Sequence, residues 1–169
     1  MPITQEELYH GAAVLNLMEA FGRELPDHYF SIKNLGQRNF YTITSKRNSL
    51  LTKGRELGAG LIIKTSSKRR TPWRYNFHKP HQEEMKRLYS NYGQVFILLI
   101  AGEDGIACLD YGSLGEVLDE KFEEQEWVSV KRKPGEYYRV AGNDGTREKG
   151  LAPNQFPYLI VDYFRKVLT

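Results

Sequence analysis

The sequence predicts a single α+β domain, or a three-layer α/β arrangement, in which helices flank a mixed β-sheet. Short runs rich in branched and aromatic residues alternate with longer amphipathic segments, which is typical of strands interleaved with helices. The run "QVFILLIA" at 94–101 is apolar after its first residue and too short for a helix, so it predicts a strand buried on both faces. No linker or low-complexity segment divides the 169 residues, and we expect one domain over 1–169.

The first element is a helix predicted over residues 5–21. Thr4 and Glu7 have the spacing of a capping box, and apolar residues then recur every third or fourth position. Gly22 follows this pattern and is expected to end the helix.

Four short segments with β-branched and aromatic residues come next, and each predicts a strand. These predicted strands are 28–33, 39–45, 60–66 and 73–77. The stretch 46–60 is polar, basic and glycine-bearing, so we expect a loop there with one short helical turn around 50–57.

The second half predicts a helix, two more strands, a short acidic helix, a hairpin and a closing helix. Pro80 suits a first helical turn and Gly93 a helix end, which places that helix between them. Ser113 and Glu116 repeat the capping-box spacing ahead of the acidic segment. The remaining elements are a strand at 94–101, an edge strand at 106–111, hairpin strands at 126–133 and 136–142, and a helix at 156–168.

Charge is distributed unevenly along the chain, although the net charge is only +3. Residues 28–80 hold twelve Lys or Arg and one acid, a balance of +11, and the rest of the chain carries −8. Segment 116–126 has six acids and one lysine. Such polarity attracts polyanions to one region, although the two blocks could also simply attract each other or face water.

A basic cluster at 64–74 contains five cations and no acid, which favours contact with a phosphate backbone. Trp73 could stack on a base from this cluster or begin an aromatic strand that packs in the core. A second basic cluster at 131–133 could flank the same groove or be the charged tip of a hairpin. The candidate nucleic-acid-binding residues are Lys64, Lys68, Arg69, Arg70, Trp73, Arg74, Lys131, Arg132 and Lys133.

Segment 60–77, "GLIIKTSSKRRTPWRYNF", is followed by an amphipathic helix and then by "VFILLIAGEDGI". This succession resembles the core of the PD-(D/E)XK, or restriction-endonuclease-like, superfamily over about residues 5–110. The resemblance implies a restriction-endonuclease-like core with a C-terminal hairpin and helix added to it. It also implies a nuclease-like domain that binds nucleic acid, with duplex DNA as the expected form.

The chain departs from this family where the metal should bind. An active member carries a carboxylate two positions before the lysine, because that spacing puts both groups on one face beside Mg²⁺. Here that position is Ile62, and Glu56 is the sole acid between His28 and Lys64. The resemblance therefore implies a degenerate metal site with no cofactor. An active Mg²⁺-dependent endonuclease would need displaced acids. The candidates are Glu7, Glu19, Glu83 and Glu84, and also Asp27 if the strands are arranged differently.

A rival hypothesis from another class is a protein-interaction module, of inhibitor or antitoxin type, that uses the acidic segment 116–126. A protein partner and a homodimer both stay open. His78, His81 and Glu84 have a spacing that a metal could use, but capping and surface roles explain them, and we expect no metal there. The lone Cys108 predicts a buried thiol, and the absence of a leader pattern or long apolar run predicts a cytoplasmic protein with no membrane contact.

Overall fold

Two β-sheets and the helices that pack on them form the architecture of the chain. The computed structural model describes residues 1–47 and 57–169. The described helices are α1 (Gln5–Glu24), α2 (Lys79–Tyr92), α3 (Tyr111–Leu114) and α4 (Gln155–Val167). The described strands are β1 (His28–Asn34), β2 (Phe40–Arg47), β3 (Leu57–Ser66), β4 (Trp73–His78), β5 (Val95–Ala101), β6 (Gly105–Asp110), β7 (Gln125–Lys131), β8 (Arg139–Gly142) and β9 (Gly145–Thr146). The predicted α+β class, with a mixed sheet flanked by helices, is confirmed.

The larger sheet has five strands in the order β1-β2-β3-β5-β6. β3 and β5 are parallel, with Ile62 opposite Ile97, and the other neighbours are antiparallel. Every residue of β5 is buried, which confirms the strand predicted from its continuous apolar run. β6 lies at the edge of this sheet, as its position in the sequence predicts.

The smaller sheet has four antiparallel strands in the order β4-β7-β8-β9. Its inner face packs on one face of the five-stranded sheet, and the two share a core that includes Ile62, Leu99, Trp73 and Val128. α2 packs into the same core through Met85 and its neighbours. The opposite face of the five-stranded sheet is covered by α1 and α4. The layers are therefore helices, a five-stranded sheet, and a four-stranded sheet beside a helix.

Local sequence signals account for the helix ends. The capping box of Thr4 and Glu7 is present at the start of α1. Gly22 does not end that helix, which runs one further turn to Glu24, because a single exposed glycine is tolerated in a helix and the following Pro26 sets the stop. α2 begins with Pro80 in its first turn and ends at Gly93, whose φ of 78° is the left-handed conformation that glycine adopts readily.

Two predicted elements differ from the structure. The expected loop 46–60 is overlapped by strands at both ends, since β2 runs to Arg47 and β3 begins at Leu57, and the rest of the predicted helical turn lies outside the described residues. The acidic helix predicted after Ser113 is absent. Instead α3 is a single turn capped by Asp110, whose carboxylate accepts a hydrogen bond from the Ser113 N–H at 2.7 Å.

Residues 116–124 of the acidic segment continue from α3 as turns and bends. The carbonyl of Val117 accepts a hydrogen bond from the Asp144 N–H at 3.0 Å, so a distant turn uses an acceptor that a helix would need. Among the helices described, none is long and apolar enough to cross a membrane.

Candidate nucleic-acid interface

The outer face of the four-stranded sheet is open to solvent and carries cations. Residues of β4 alternate strictly, so Arg74, Asn76 and His78 are exposed while the three aromatic residues between them are buried. On β8, Arg139 lies opposite Lys131 of β7, and both are exposed. Along the described strands of this sheet, no carboxylate occupies the outer face.

Trp127 is the aromatic residue on this outer face. It is partly exposed, and the guanidinium carbon of Arg74 lies 4.7 Å from the centroid of its ring. A guanidinium stacked on an indole presents a flat cation, and such a surface is one on which a nucleic-acid base can stack.

Two loops extend the basic face beyond the sheet. Residues 67–72 are all exposed and contain Lys68, Arg69 and Arg70. The hydroxyl of Thr71 accepts a hydrogen bond from the Arg132 N–H at 3.2 Å, which holds this loop against the turn 131–136. We call the two loops together with the outer face of the four-stranded sheet the basic surface. A depression of about 350 Å³ in it is lined by Thr71, Lys131, Arg132, Lys133, Glu136 and Arg139.

Arg132 is a member of the basic surface whose positive charge is already paired with a carboxylate. Its Nη1 donates to both carboxylate oxygens of Asp104, at 3.0 and 3.1 Å, and its Nε donates to the Glu136 carbonyl at 2.9 Å. The hydroxyl of Tyr138 donates to the same Asp104 at 2.7 Å. Arg132 therefore braces the turn 131–136 against the β5–β6 turn, and its role as a nucleic-acid contact stays a prediction.

Lys64 does not lie on the basic surface either. Its side chain points between the two sheets and is only 8% exposed. The Nζ group donates to the Asn76 carbonyl at 2.6 Å, lies 3.1 Å from Nδ1 of His81 and sits 4.8 Å from the centre of the Phe77 ring. Burial lowers the pKa of Lys64 to about 8, an effect that Glu6 on α1 partly opposes.

The third and fourth strands do not pair with each other, although they are consecutive in the chain, and this explains the burial of Lys64. β3 pairs with β2 and β5, whereas β4 pairs with β7 in the other sheet. Lys64 and Arg74 therefore do not share a face, as an antiparallel pairing would require. The face that carries Lys64 is covered by β4 itself.

Trp73 also lies in the core rather than on the surface. It is 2% exposed, and its indole Nε1 donates to the carbonyl of Lys68 at 2.8 Å. In this position Trp73 shapes the loop 67–72 from beneath and presents no ring face to a base.

The positions expected to hold a metal beside Lys64 are apolar. Ile62 is fully buried and lies opposite Phe40 of β2, which is also buried. Two of the candidate displaced acids have other partners, because Glu7 holds the cap of α1 and Glu84 pairs with Arg87 at 2.6 Å. His78 and His81 have ring centroids 5.5 Å apart. The pKa of His81 is lowered mainly by burial and also by the nearby Lys64 and His78, and a cation beside a ligand opposes metal binding.

Sequence reasoning missed Trp127 and Arg139 as members of the basic surface. The alternation in "QEWVSVK" at 125–131 could have placed Trp127 on a polar face with Ser129 and Lys131. What could not be inferred is that this strand pairs with β4, which brings Trp127 beside Arg74. Comparison of the chain with protein-family models, with curated proteins and with solved structures found no match.

Proposed function

We propose that this protein binds nucleic acid through the basic surface, with duplex DNA as the form to be tested first. The observation that carries the proposal is the outer face of the four-stranded sheet, where Arg74, Lys131 and Arg139 are exposed and where the described strands place no carboxylate. A folded protein that merely needs solubility mixes charges of both signs on such a face, whereas a face that binds a phosphate backbone is enriched in cations.

The loop 67–72 adds three exposed cations beside this face, so the positive region is wider than one strand pair. Within it, the exposed Glu136 lines the depression together with four Lys or Arg residues. At its border, Asp104 is paired with Arg132 and Glu103 lies near Arg69. The arrangement gives phosphate contacts from two loops and one flat face, with Trp127 and Arg74 at the point where a base could be contacted.

The proposal assigns no cleavage to Lys64. A lysine in a nuclease site acts together with metal-bound carboxylates, and here Ile62 and Phe40 occupy the adjoining positions on the same face. The resemblance to restriction-endonuclease-like proteins supports the choice of nucleic acid as ligand. Incubation of plasmid DNA with the protein and Mg²⁺ or Mn²⁺ should leave the plasmid intact, and cutting would favour the active-endonuclease hypothesis.

A binding experiment tests the proposal directly. Affinity for a labelled duplex and for its separated strands is measured by fluorescence anisotropy over a series of salt concentrations. We expect the logarithm of the affinity to fall linearly with the logarithm of salt concentration, because each phosphate contact releases counterions. Reversing the charges of Lys68, Arg69 and Arg70 to glutamate should abolish most of the binding.

The matched control reverses three exposed lysines that lie outside the basic surface, namely Lys33, Lys121 and Lys166. This variant undergoes the same change in net charge, so retained binding would show that position matters. Undetectable or salt-insensitive binding by the unmodified protein would contradict the proposal. Tighter binding of the separated strands than of the duplex would assign the surface to single-stranded nucleic acid.

The protein-interaction hypothesis keeps one specific observation in its favour. Exposed acids of segment 116–124 border an apolar depression of about 210 Å³ whose lining includes Met85, Leu118 and Phe122. A basic peptide with an apolar anchor would complement this surface. A stoichiometric protein complex that forms without nucleic acid and is lost when Glu120, Glu123 and Glu124 are reversed would favour this second function.

A further inference from the structure

Three carboxylates meet at the end of β7 that is far from the turn 131–136. Asp119 belongs to the acidic segment, Glu126 to the start of β7, and Asp144 to the turn between β8 and β9. One ligand atom from each lies within 4.8 Å of the other two. Asp119 and Glu126 are seven residues apart and Asp144 follows eighteen residues later, so the fold of the acidic segment and the β8–β9 turn brings the three together.

Glu126 is the member of the cluster whose carboxylate is buried without a hydrogen bond. The residue is 1% exposed, and neither of its carboxylate oxygens has a hydrogen-bonding partner in the described structure. The nearby amide of Gln82 is also buried, and its Nε2 uses one of its two hydrogens to donate to the carbonyl of Phe77 at 3.2 Å, so it can offer Glu126 no more than one N–H. A buried carboxylate with at most one donor is unfavourable unless it takes up a proton or a cation.

The neighbouring negative charges make the ionised form of Glu126 still less favourable. Burial raises the pKa of Glu126, the nearby amide of Gln82 opposes that rise, and the carboxylates of Asp144 and Asp119 add to it. Asp119, Glu126 and Asp144 form no ion pair within the described part of the chain. The cluster therefore concentrates negative charge that no side chain seen around it neutralises.

The backbone holds the three acids in position through contacts of its own. The Asp119 N–H donates to Oδ2 of Asp144 at 2.9 Å, and the Trp127 N–H donates to Oδ1 of Asn143 at 2.7 Å. Gly142 lets the β8–β9 hairpin approach the acidic segment, since a Cβ there would lie 2.5 Å from the Val117 carbonyl oxygen. The carboxylates are thus positioned by the fold around them.

We propose that Asp119, Glu126 and Asp144 form a binding site for a divalent cation of about the size of Ca²⁺. All the side-chain ligands are carboxylate oxygens, which hard cations prefer. One ligand atom from each residue lies within 4.8 Å of the other two, which is close enough for a single ion to contact all three. Ca²⁺ accepts carboxylate ligands in flexible geometry, whereas Mg²⁺ demands near-ideal octahedral geometry and gives up its waters reluctantly, so we expect Ca²⁺ to be preferred.

The site lies away from the two basic loops, and its buried member Glu126 points to the inner side of the sheet whose outer face carries Trp127. β7 has seven residues, so its two ends are roughly 20 Å apart, with the carboxylate cluster at one end and the turn 131–136 at the other. A cation at the cluster would neutralise charge and tie the acidic segment to β7 and to the β8–β9 turn. Its role is to hold structure together, and it does not depend on the proposed nucleic-acid function.

Calorimetric titration of the metal-free full-length protein with CaCl₂, MgCl₂ and MnCl₂ tests the site, together with thermal unfolding in EDTA and in each salt. We expect one cation per chain, with Ca²⁺ bound more tightly than Mg²⁺. The Tm should rise by about 5 °C or more when Ca²⁺ is present at roughly one hundred times its Kd, because the ion binds the folded state. No binding heat and an unchanged Tm with all three salts would overturn the proposal.

Glu126→Gln is the decisive variant, because it keeps the shape of the side chain and removes its charge. We expect it to lose the Ca²⁺-dependent rise in Tm while unfolding in EDTA at the same temperature as the unmodified protein or higher. The control Glu124→Gln changes an exposed neighbouring acid and should retain Ca²⁺ binding. Should Glu126→Gln fail to fold, the exposed ligands Asp119→Asn and Asp144→Asn should each weaken Ca²⁺ at least about tenfold. Unchanged Ca²⁺ affinity in these variants would overturn the assignment.

Discussion

Lys64 links the two sheets, because its buried ammonium donates a hydrogen bond to a main-chain carbonyl. The acceptor is Asn76 of β4, while Lys64 itself belongs to β3, so the contact crosses from one sheet to the other. Alternation along β3 correctly places Lys64 on the same side as Ile62. It cannot show that a second sheet covers that side, because the covering strands pair with residues more than forty positions further along the chain.

The first prediction concerns the stability of the protein between about pH 8 and 10.5. The pKa of Lys64 is about 8 in the folded chain and near 10.5 when unfolded, so the unfolded chain binds more protons in this window and stability rises with pH. Relative to the variant Lys64→Met, the unmodified protein should gain roughly 3 kcal/mol of unfolding free energy across the window. Urea denaturation at several pH values measures this difference.

The control for this experiment is Lys133→Met, which removes an exposed lysine from the basic surface. Its stability relative to the unmodified protein should stay constant over the same pH range. A constant difference for Lys64→Met as well would show that the Lys64 ammonium is not destabilised by burial.

The two tryptophans should respond in opposite ways to truncation. Trp73→Ala empties a buried site and should lower the free energy of unfolding by about 3–5 kcal/mol. Trp127→Ala should change stability far less, but should weaken nucleic-acid binding by about 1 kcal/mol or more, since the partner surface for Arg74 and a base is lost. Urea denaturation and anisotropy on both variants check this. Equal loss of affinity in the two folded variants would contradict it.

Elements with strong local signals could be predicted from sequence, whereas their partners could not. α2 and β5 have the predicted positions because periodicity and capping residues are local properties. The pairing of β4 with β7 depends on aromatic and branched side chains that find each other across the fold. The basic surface was therefore predicted as two clusters, but its outer sheet face, with Trp127 and Arg139, was not.

The contact of Asp104 with Arg132 and Tyr138 should stabilise the folded protein, because it holds the β5–β6 turn against the turn 131–136. Asp104→Asn leaves the shape of the side chain but weakens its bonds to Arg132 and Tyr138. We expect the free energy of unfolding to fall by about 1–2 kcal/mol, because the pair is partly buried and its hydrogen bonds are charge-assisted. Urea denaturation of Asp104→Asn beside the neighbouring exposed Glu103→Gln measures the effect. An equal change in both would show that the brace adds no stability.

Across the whole molecule, the two sheets share one core, which includes Leu99 from one sheet and Val128 from the other. Separating the sheets would expose this core, so neither sheet should persist when the other unfolds. The chain order enforces the same coupling, since β4 and α2 both lie within residues 67–94, the connection between the parallel strands β3 and β5.

This coupling predicts a single cooperative unfolding transition. Both tryptophans of the chain belong to the four-stranded sheet, so intrinsic fluorescence reports on that sheet. Far-UV circular dichroism reports strongly on the helices, of which α1 and α4 pack on the five-stranded sheet. The two signals should give the same midpoint in urea. Separate midpoints would show that the sheets are independent units.

The position of β4 within the β3–β5 connection also has a consequence for the order in which the protein is made. A ribosome that has released residues 1–101 has supplied β1 to β3, β4, α2 and β5, but not β7, the neighbour of β4. The aromatic residues of β4, Trp73, Tyr75 and Phe77, are then on the chain, but β4 cannot pair with β7 until about thirty further residues have been synthesised. The strand β4, which carries Arg74 of the basic surface, thus has an uncovered aromatic side during synthesis, and this side could form non-native contacts.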